Sequence, residues 1–586
     1  RVIELERKID GLVNLFQSQQ QLPQNHDPSP TTARTQTEGH RLTPCTGSTV
    51  SGENRPSTSR VSPVISPETY ESRHVPTPDE GIPSSSWQLV PGFIITIEKA
   101  EESLSIYRTR MVPNFPFVPI DPSVTAKELH SQKPFLFWCI MQAVVPLTAP
   151  VQTAVGDWVC QYVALHLVVN KEKSLDMLQA LVVYLAWGDI HGQMGINTNT
   201  LLQLTIGLVL DMTMYTLNTP LSWMPKGLIP DAWVLLGKGK QVETKQSLEE
   251  QRAILGGYYI ASCVPPALRR QSQIQFSNQI AKCFKSICET RELPSDDNLI
   301  ALIRLQNLGD RIRAVFPTLD RDEGEPAPIF REHFNAVLSS LRKELRALEM
   351  EEPAITKEQP FVWMQYTVWT MRLYEPVINM RAASPSEAFT ATEPYSRTQA
   401  LWSCLEAVKV ASNGLLAIPA ESYAYMPFQL VSGIAFAMMT SCRILLEDSA
   451  SDWDVTLARS KLDYLEISSR ILERLEEADN VALIVGQRRR LFEDNSSKWT
   501  IYATRGRWLQ QWFVSKLGPP PQESTAEQQQ TFHGLGSNES TVPWLGEMTL
   551  DQSFWDVMML EGVNLMASNN VTGLSDAAMF PSMPST

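Results

Sequence analysis

Apolar positions recur at helical spacing along most of the chain, and residues 174–188 form one of the most informative of these stretches. Ser174 is a favourable N-cap, Asp176 lies in the first turn, and Gly188 suits the position just past the helix end. A helix with so little polar surface must be enclosed by neighbouring helices. The pattern therefore predicts a central core helix. Its continuous apolar stripe consists of Leu175, Leu178, Val182 and Leu185.

The same periodicity predicts further helices after this segment. A capping box at residues 247–250 opens one of them, which we expect to run to the prolines at 265–266. Within it Ala253, Gly257 and Ala261 form a small-residue stripe that would let another helix approach closely. Strand-like alternation is scarce, so the sequence predicts an all-α fold with no fixed-period repeat. The other helical patterns are 98–110, 295–305, 330–348, 361–374, 430–446, 465–475 and 499–512.

The first residues of the chain carry a heptad pattern. Their apolar side chains step by three and four residues, as in the a and d positions of a coiled coil. Two heptads are short for strong dimerisation, because short isolated helices are marginal in water. Residues 1–20 are therefore either a dimerisation coil or a fragment of an ordinary amphipathic helix. The predicted dimerisation seam consists of Val2, Leu5, Ile9, Leu12 and Phe16.

Composition divides the rest of the chain into three parts. Residues 21–86 are rich in Pro, Ser, Thr and Gly and have almost no apolar periodicity, so we predict a disordered linker. Residues 87–515 hold the helical patterns and form one large multi-helix domain. A proline-rich segment near its start, 112–119, is expected to be extended. Residues 516–586 form an acidic tail.

This tail combines acidic residues with bulky apolar ones, and no Lys or Arg follows Lys516. Acidic residues interleaved with aromatic ones keep apolar anchors solvated until a partner groove accepts them. That composition is typical of a disordered activation segment that binds coactivators. The alternative is that the stretch docks on the helical body as a last helix. The predicted anchors are Trp544, Leu550, Phe554, Trp555, Met558 and Leu560.

Composition and charge limit the kind of protein. The chain has 586 residues, 43% of them hydrophobic, and a formal net charge of −14. The hydrophobic content supports one large core, and the negative charge argues against binding nucleic acid over a broad surface. The nearest approach to a membrane span, residues 135–156, is interrupted by Gln142, Pro146, Pro150 and Gln152. With no signal peptide after Arg1, these features predict a soluble protein with no membrane partner.

Candidate catalytic chemistry is sparse. The eight cysteines contain no Cys-x-x-Cys pair and the eight histidines show no paired ligand spacing, so we expect no metal and no cofactor in this chain. Most cysteines lie in apolar helical patterns, which predicts reduced, buried thiols. Asp296-Asp297 lacks the further carboxylate that the acidic motif of helical terpene cyclases needs, and we interpret the pair as helix N-terminal charges. Residues 237–240 lack P-loop spacing. The sequence predicts that the chain is not an enzyme.

Several runs, taken in order, resemble the fungal transcription factors that carry a binuclear zinc cluster. Residues 2–16 resemble the coil that follows the cluster in that family. The remaining runs resemble its large helical middle homology region, so the resemblance covers about 1–20 and 90–515. These runs are SLSIY at 103–107, FPFV at 115–118, PFLFW at 134–138, the helix 174–187 with LQAL at its centre, EQR at 250–252, YYIAS at 258–262 and LRR at 268–270.

The chain departs from that family at the zinc ligands. In the family these are cysteines in two Cys-x-x-Cys halves, and no such pair occurs here. The resemblance therefore implies that a zinc cluster lies upstream of Arg1 or is absent, and zinc is expected only in such a cluster. No zinc ligand and no DNA-contacting residue is carried over to this chain. Its start at Arg1, inside a helical pattern, suggests that another part precedes it.

The resemblance implies the regulatory part of a nuclear transcription factor that controls transcription by RNA polymerase II. DNA would be bound through the upstream zinc cluster, a second copy through the coil, and coactivators through the tail. A small-molecule effector is a further candidate partner. The alternative is a coregulator that does not bind DNA and acts through the coil and the helical body. Whether a zinc cluster precedes Arg1 distinguishes the two.

Overall fold

The computed structural model describes residues 86–188, 197–214, 246–267, 274–316, 327–384, 393–447, 452–488 and 496–517. Within these ranges the fold consists of sixteen α-helices and one two-stranded antiparallel sheet. The predicted all-α fold class is confirmed. The predicted coil, all but the last residue of the linker, and the tail from residue 518 lie outside the described residues. The four predicted domain ranges therefore stay predictions.

The elements follow one another in this order. The first part holds β1 (Ser86–Val90), β2 (Phe93–Thr96), α1 (Ile97–Ile106), α2 (Ala126–Gln132), α3 (Pro134–Val144), α4 (Ala149–Val163), α5 (Leu175–Trp187) and α6 (Asn197–Met214). The middle part holds α7 (Leu248–Ala267), α8 (Asn278–Thr290), α9 (Asp296–Val315), α10 (Glu332–Glu351) and α11 (Pro360–Tyr374). The last part holds α12 (Glu393–Ala417), α13 (Phe428–Leu446), α14 (Val455–Lys461), α15 (Tyr464–Ile484) and α16 (Lys498–Lys516).

The helix α5 is the central core helix that its pattern predicts. Every residue from Met177 to Trp187 is buried, and α5 packs against α3, α6 and α7. The Ser174 hydroxyl accepts a hydrogen bond from the N–H of Met177 at 3.1 Å, so the predicted N-cap is confirmed. Gly188 ends the helix with a φ of −62°. Gly188 therefore does not adopt the left-handed conformation for which glycine is favoured at helix ends.

The helix α7 confirms the predicted capping box and close packing. The N–H of Ser247 donates to the Glu250 carboxylate at 2.9 Å, and the N–H of Glu250 donates to the Ser247 hydroxyl at 3.1 Å. A Cβ on Gly257 would lie 2.3 Å from Cγ2 of Val209 on α6, so only glycine permits this approach. The helix runs to Ala267. The two prolines at 265–266 thus lie in its last turn.

Residues 112–119 form successive turns, and the prediction that they are extended is wrong. The N–H of Phe115 donates to the carbonyl of Met111 at 3.1 Å, which closes a turn. Proline fixes φ near −65°, a value that also suits the second position of a type I turn, so Pro113 does not require extended backbone. The turns place Phe115 and Phe117 in the core.

A short β-hairpin precedes the helices, and the sequence patterns did not predict it. Ser86 pairs with Thr96 at its open end, and Gly92 turns the chain with a φ of +85°. Trp87 stacks on His130 of α2 with ring centroids 4.6 Å apart, which attaches the hairpin to the helical body. Strands of five and four residues are too short to show a clear period-two pattern.

One helix among the described residues, α13, is long and apolar enough to cross a membrane by length and composition. Of that stretch, 78% is buried inside the fold, where α13 packs against α11 and α12. This is the environment of a core helix. The stretch 135–156, the nearest approach to a span in the sequence pattern, is divided between α3 and α4, with Pro150 in the first turn of α4.

Candidate functional site

The residues predicted to carry function lie outside the described residues. They comprise the dimerisation seam (Val2, Leu5, Ile9, Leu12 and Phe16) and the tail anchors (Trp544, Leu550, Phe554, Trp555, Met558 and Leu560). The structure therefore tests neither set, and both stay predictions. The candidate sites among the described residues are polar clusters and clefts of the helical body.

One polar cluster fixes the start of α5 against its neighbours. The Asp176 carboxylate accepts hydrogen bonds from two backbone N–H groups at the start of α3, at 2.7 and 3.3 Å. Burial raises the pKa of Asp176, although these bonds and the charge of Lys133 oppose the shift. Lys133 donates to Gln179 at 3.0 Å and also contacts Glu249. The cluster joins α3, α5 and α7, and its polar groups are occupied with one another, so its role is structural.

A second cluster contains a buried ion pair. The Arg252 guanidinium donates to the Asp296 carboxylate at 2.8 and 2.9 Å, and the two side chains are only 4% and 1% exposed. Asp297 pairs instead with Arg291 at 2.7 Å near the surface. Both aspartates lie in the first turn of α9, which confirms their interpretation as helix N-terminal charges. Asp296 is thus already bound by an arginine of the fold.

A third cluster links the polar faces of α7 and α9. The Tyr258 and Ser262 hydroxyls donate to the Asp310 carboxylate at 2.6 and 2.5 Å. The Gln306 amide donates to the Ser262 hydroxyl at 2.8 Å, and Arg313 contacts Asp310. Sequence analysis missed this cluster. The four-residue spacing within each helix marks a polar face, but it does not show that the two faces meet.

A cleft opens between α10 and α12, with α11 packed against both helices. We call it the α10–α12 cleft, and its volume is about 350 Å³. The cleft combines aromatic rings with charged and hydroxyl groups. Its lining includes Arg342, Leu345, Arg346 and Glu349 from α10, Trp363, Tyr366, Thr370 and Tyr374 from α11, and Ser403, Glu406 and Val410 from α12.

Hydrogen bonding leaves the cationic groups of this cleft available. The Tyr366 hydroxyl donates to the Glu349 carboxylate at 2.6 Å. Burial, with this hydrogen bond second, raises the pKa of Tyr366, so the phenol stays protonated. Neither Arg342 nor Arg346 forms a salt bridge within the ranges that the structure describes. Glu349 shares the α10 wall with the two arginines and Glu406 lies on the α12 wall, so the attraction for a further carboxylate is confined to the neighbourhood of Arg342 and Arg346.

The cleft is suited to binding rather than to catalysis. Guanidinium groups recognise carboxylates through paired, charge-assisted hydrogen bonds, and aromatic rings accept other rings or cations. The Thr367, Thr370 and Ser403 hydroxyls of its lining donate to backbone carbonyls, and the raised pKa of Tyr366 keeps that phenol protonated, so none of the four is activated as a nucleophile. A sequence signal for the cleft existed, because Arg342 and Arg346 lie four residues apart on α10 beside its leucine stripe, which contributes Leu345 to the same lining. That signal alone could not show which helix would face them.

A smaller cavity lies between α13, α15 and α16. It is lined by apolar side chains, among them Met438, Leu475 and Leu509, and its volume is about 50 Å³. Ligand pockets usually enclose at least about 300 Å³. The cavity is a packing gap in the core, too small for an effector.

The described residues contain no group of three or more His, Cys, Asp or Glu that could hold a metal ion. Their seven cysteines carry free thiols, four of them buried. Burial raises the pKa of Cys283 to about 11 and that of Cys404 to about 12, so both thiols are protonated at neutral pH. A protonated, buried thiol is neither a good nucleophile nor a good metal ligand.

Comparison with known proteins gives one family and several fungal relatives. The sequence matches the protein family described as the WAR1 C-terminal domain over residues 83–445. It is 24% identical to "Transcription factor opdL" of Penicillium oxalicum over 408 residues, 69% of each chain. It is 27% identical to "Transcription factor himD" of Aspergillus japonicus over 247 residues, 42% of this chain and 38% of that protein.

A more distant relative is the "Transcriptional regulator WAR1" of Candida albicans, at 22% identity over 396 residues. That match covers 66% of this chain and 39% of the Candida protein, so this chain spans well under half of that relative. No solved structure matches the chain. The family match contains every residue of the α10–α12 cleft, which lies within residues 342–410.

Proposed function

Because this chain belongs to the WAR1 C-terminal domain family, a family of fungal transcription factors, we propose that it is the regulatory part of a DNA-binding transcription factor. The observation that carries the proposal is the family match over residues 83–445, most of the helical body. Relatives aligned with this body are named transcription factors or regulators. Those names also support the prediction that the chain regulates transcription and is not an enzyme.

In this proposal, DNA is recognised outside the helical body, by a zinc cluster upstream of Arg1. Each zinc ion of such a cluster needs thiolate ligands, and the eight cysteines here have no Cys-x-x-Cys spacing. We therefore assign no zinc ligand within the chain. The seam from Val2 to Phe16 joins two copies into a homodimer and so sets the spacing of the two DNA half-sites.

The helical body and the tail divide regulation between them. The tail recruits coactivators in the nucleus and so raises transcription by RNA polymerase II, while the body controls when it does so. A small-molecule effector or a covalent modification changes that control only if it has different affinities for two states of the body. The aromatic and cationic lining of the α10–α12 cleft supports a binding role for the body.

The second candidate function is that of a coregulator that does not bind DNA. The observation in its favour is the lack of any Cys-x-x-Cys pair in the 586 residues. Such a protein acts through the coil and the helical body, by joining a DNA-bound partner or by withholding one. Sequencing the 5′ end of the native transcript separates the two functions. Six cysteines in Cys-x-x-Cys halves ahead of Arg1 would support the first, and an initiation codon there would support the second.

A reporter experiment tests the regulatory role itself. The 586-residue chain is fused to an unrelated DNA-binding module, and transcription is measured from a promoter that carries the binding site of that module. We expect output above that of the module alone, because the tail is brought to the promoter. Output equal to that of the module alone under every growth condition would contradict an activating role for the chain.

A further inference from the structure

We infer that the α10–α12 cleft is the docking site of the chain's own tail, residues 544–561. The inference rests on the proposed function in one respect, namely that this segment is the part that activates transcription. It names the contact through which the body controls the tail. Three features support it, namely the geometry of the cleft, the chemistry of the segment and the length of chain between them.

The α10 wall of the cleft presents two cations at a defined spacing. Arg342 and Arg346 are four residues apart, about 6 Å along the helix axis. Neither is engaged in a salt bridge within the described part of the chain. Next to them lie the rings of Trp363 and Tyr366, whose centroids are 5.3 Å apart. A partner that matches this surface carries paired carboxylates and a bulky aromatic group.

Residues 544–561 have this chemistry. The segment contains four acidic residues and no Lys or Arg, in a stretch that also holds Trp544, Phe554 and Trp555. Glu547 and Asp551 are four residues apart, the same spacing as the two arginines of α10. Carboxylate and guanidinium form paired charge-assisted hydrogen bonds, and a tryptophan ring gains energy from both aromatic and cationic neighbours. The carboxylates of the segment therefore match the two arginines, and its rings match those beside them. Glu349, which accepts the Tyr366 hydroxyl, and Glu406 on the α12 wall do not contribute to this attraction.

The length of the chain permits the contact. The helix α16 ends at Lys516, and 27 residues, 517–543, separate it from the segment. A chain of that length spans up to about 90 Å when extended, at about 3.3 Å per residue. The longest helix described, α12 with 25 residues, spans about 38 Å at about 1.5 Å per residue. The connection is therefore long enough for the segment to reach the cleft of its own molecule.

Docking makes the body an inhibitor of the tail. The aromatic anchors that fill the cleft are the groups that a coactivator groove would bind, so one segment cannot occupy both places. Any ligand or modification that weakens the cleft contact then favours coactivator binding, and coactivator binding weakens the cleft contact by the same factor. Control of activation needs no other contact between the two parts.

Photo-crosslinking in the full 586-residue chain tests the inference. A benzophenone-bearing amino acid replaces Val410, which lines the cleft and is 40% exposed. After irradiation, mass spectrometry identifies the crosslinked peptides. We expect crosslinks from position 410 to residues 544–561. Mixing copies labelled with heavy and light isotopes separates crosslinks within one molecule from those between two, and we expect only the former.

Charge variants in the same chain give the matched comparison. Arg342→Glu with Arg346→Glu replaces attraction by repulsion, and we expect the ratio of docked to undocked chain to fall about tenfold, equivalent to about 1.4 kcal/mol. Adding Glu547→Arg with Asp551→Arg restores opposite charges and, with them, the crosslink. Lys343→Glu changes an exposed residue of α10 that does not line the cleft. That control leaves the crosslink unchanged, and circular dichroism verifies that every variant is folded.

Three outcomes would overturn the inference. One is a crosslink pattern without residues 544–561. Another is an equal loss of crosslink in the double arginine variant and in the Lys343→Glu control. The third is a crosslink that joins heavy to light copies, which would make the occupant the tail of a second molecule. None of these measurements involves transcription, so a silent reporter together with an intact crosslink would count against the proposed function alone.

Discussion

Two buried arginines among the described residues are paired with aspartates that are distant in sequence. Arg397, 1% exposed, donates to the carbonyl of Met380 at 2.8 Å and to Asp452 at 2.5 Å. Arg252 and Asp296 form a similar pair between α7 and the first turn of α9. A charge that is removed from water without a partner destabilises the fold strongly, whereas a complete pair is close to neutral. The residues of each pair therefore depend on each other.

For the Arg252–Asp296 pair this dependence gives a prediction. Arg252→Met leaves the Asp296 carboxylate buried without its cation, and we expect a loss of about 3–5 kcal/mol in the free energy of unfolding. Adding Asp296→Asn removes the unpaired charge, so the double variant loses less than the sum of the two single losses. Urea denaturation measures all three.

The control is Arg291→Met, which removes the partner of Asp297. Those two side chains are 48% and 46% exposed, and a pair that accessible to water contributes at most about 1 kcal/mol. Similar losses for Arg252→Met and Arg291→Met would mean that burial does not set the energy of these pairs.

The buried thiols give a prediction that depends on pH. Burial raises the pKa of Cys404 to about 12, so about one molecule in 10⁴ carries the reactive thiolate at pH 8. The native chain should therefore react with iodoacetamide at Cys404 far more slowly than the chain unfolded in urea. Because this pKa is raised, the native rate increases about tenfold for each pH unit up to the pKa, as long as the fold persists.

Mass spectrometry of the alkylated peptides measures these rates. Cys160, which is only half-buried, serves as the internal comparison and should react faster in the folded chain. Equal rates at Cys404 in the native and unfolded chains would show that the thiol is accessible to solvent.

At the scale of elements, the sequence predicted features that depend on neighbouring residues. The caps at Ser174 and Ser247 and the burial of α5 follow from signals within a single helix, and all three are confirmed. The β-hairpin was missed because its strands are short. The prediction of extended backbone at 112–119 was wrong because proline tolerates both turn and extended backbone. The α10–α12 cleft was missed for another reason, since about 60 residues separate its two walls and neither pattern identifies the other.

The packing of α6 on α7 yields the prediction at this scale. Alanine favours a helix over glycine by up to about 1 kcal/mol, so Gly257→Ala would stabilise α7 if there were space for a methyl group. A Cβ there would lie 2.3 Å from Val209, and we expect a net loss of about 1–3 kcal/mol in the free energy of unfolding. Adding Val209→Ala removes the clash and should recover part of that loss.

Gly207 provides the control within α6. It has no atom within 4 Å of the position that a Cβ would occupy, so Gly207→Ala should stabilise the chain by about 0.5–1 kcal/mol. Thermal unfolding of the three variants and of the unaltered chain measures both effects. If Gly257→Ala were stabilising as well, α6 and α7 would not be in the close contact described.

At the scale of the whole molecule, family membership and composition concern different parts of the chain. The family match covers residues 83–445, which hold the cleft, whereas the acidic segment at 544–561 lies beyond the match. The all-α body could be predicted from periodicity, and the regulatory role from the order of the resembling runs. A contact between body and tail could not, because it depends on the side chains that the fold brings together in the cleft.

That contact predicts how variants combine in transcription. In the reporter fusion, deleting residues 518–586 should reduce output to that of the DNA-binding module alone, because the activating segment is lost. Arg342→Glu with Arg346→Glu should raise output above that of the unaltered chain, because the segment is released to coactivators. In the chain that lacks the tail, the same double variant should have no effect, since a cleft that acts only by holding the tail has nothing left to release.

The control Lys343→Glu should leave output unchanged in both backgrounds. A rise in output from the cleft variant without the tail would mean that the cleft acts on a different partner, and the body would then regulate transcription independently of residues 544–561.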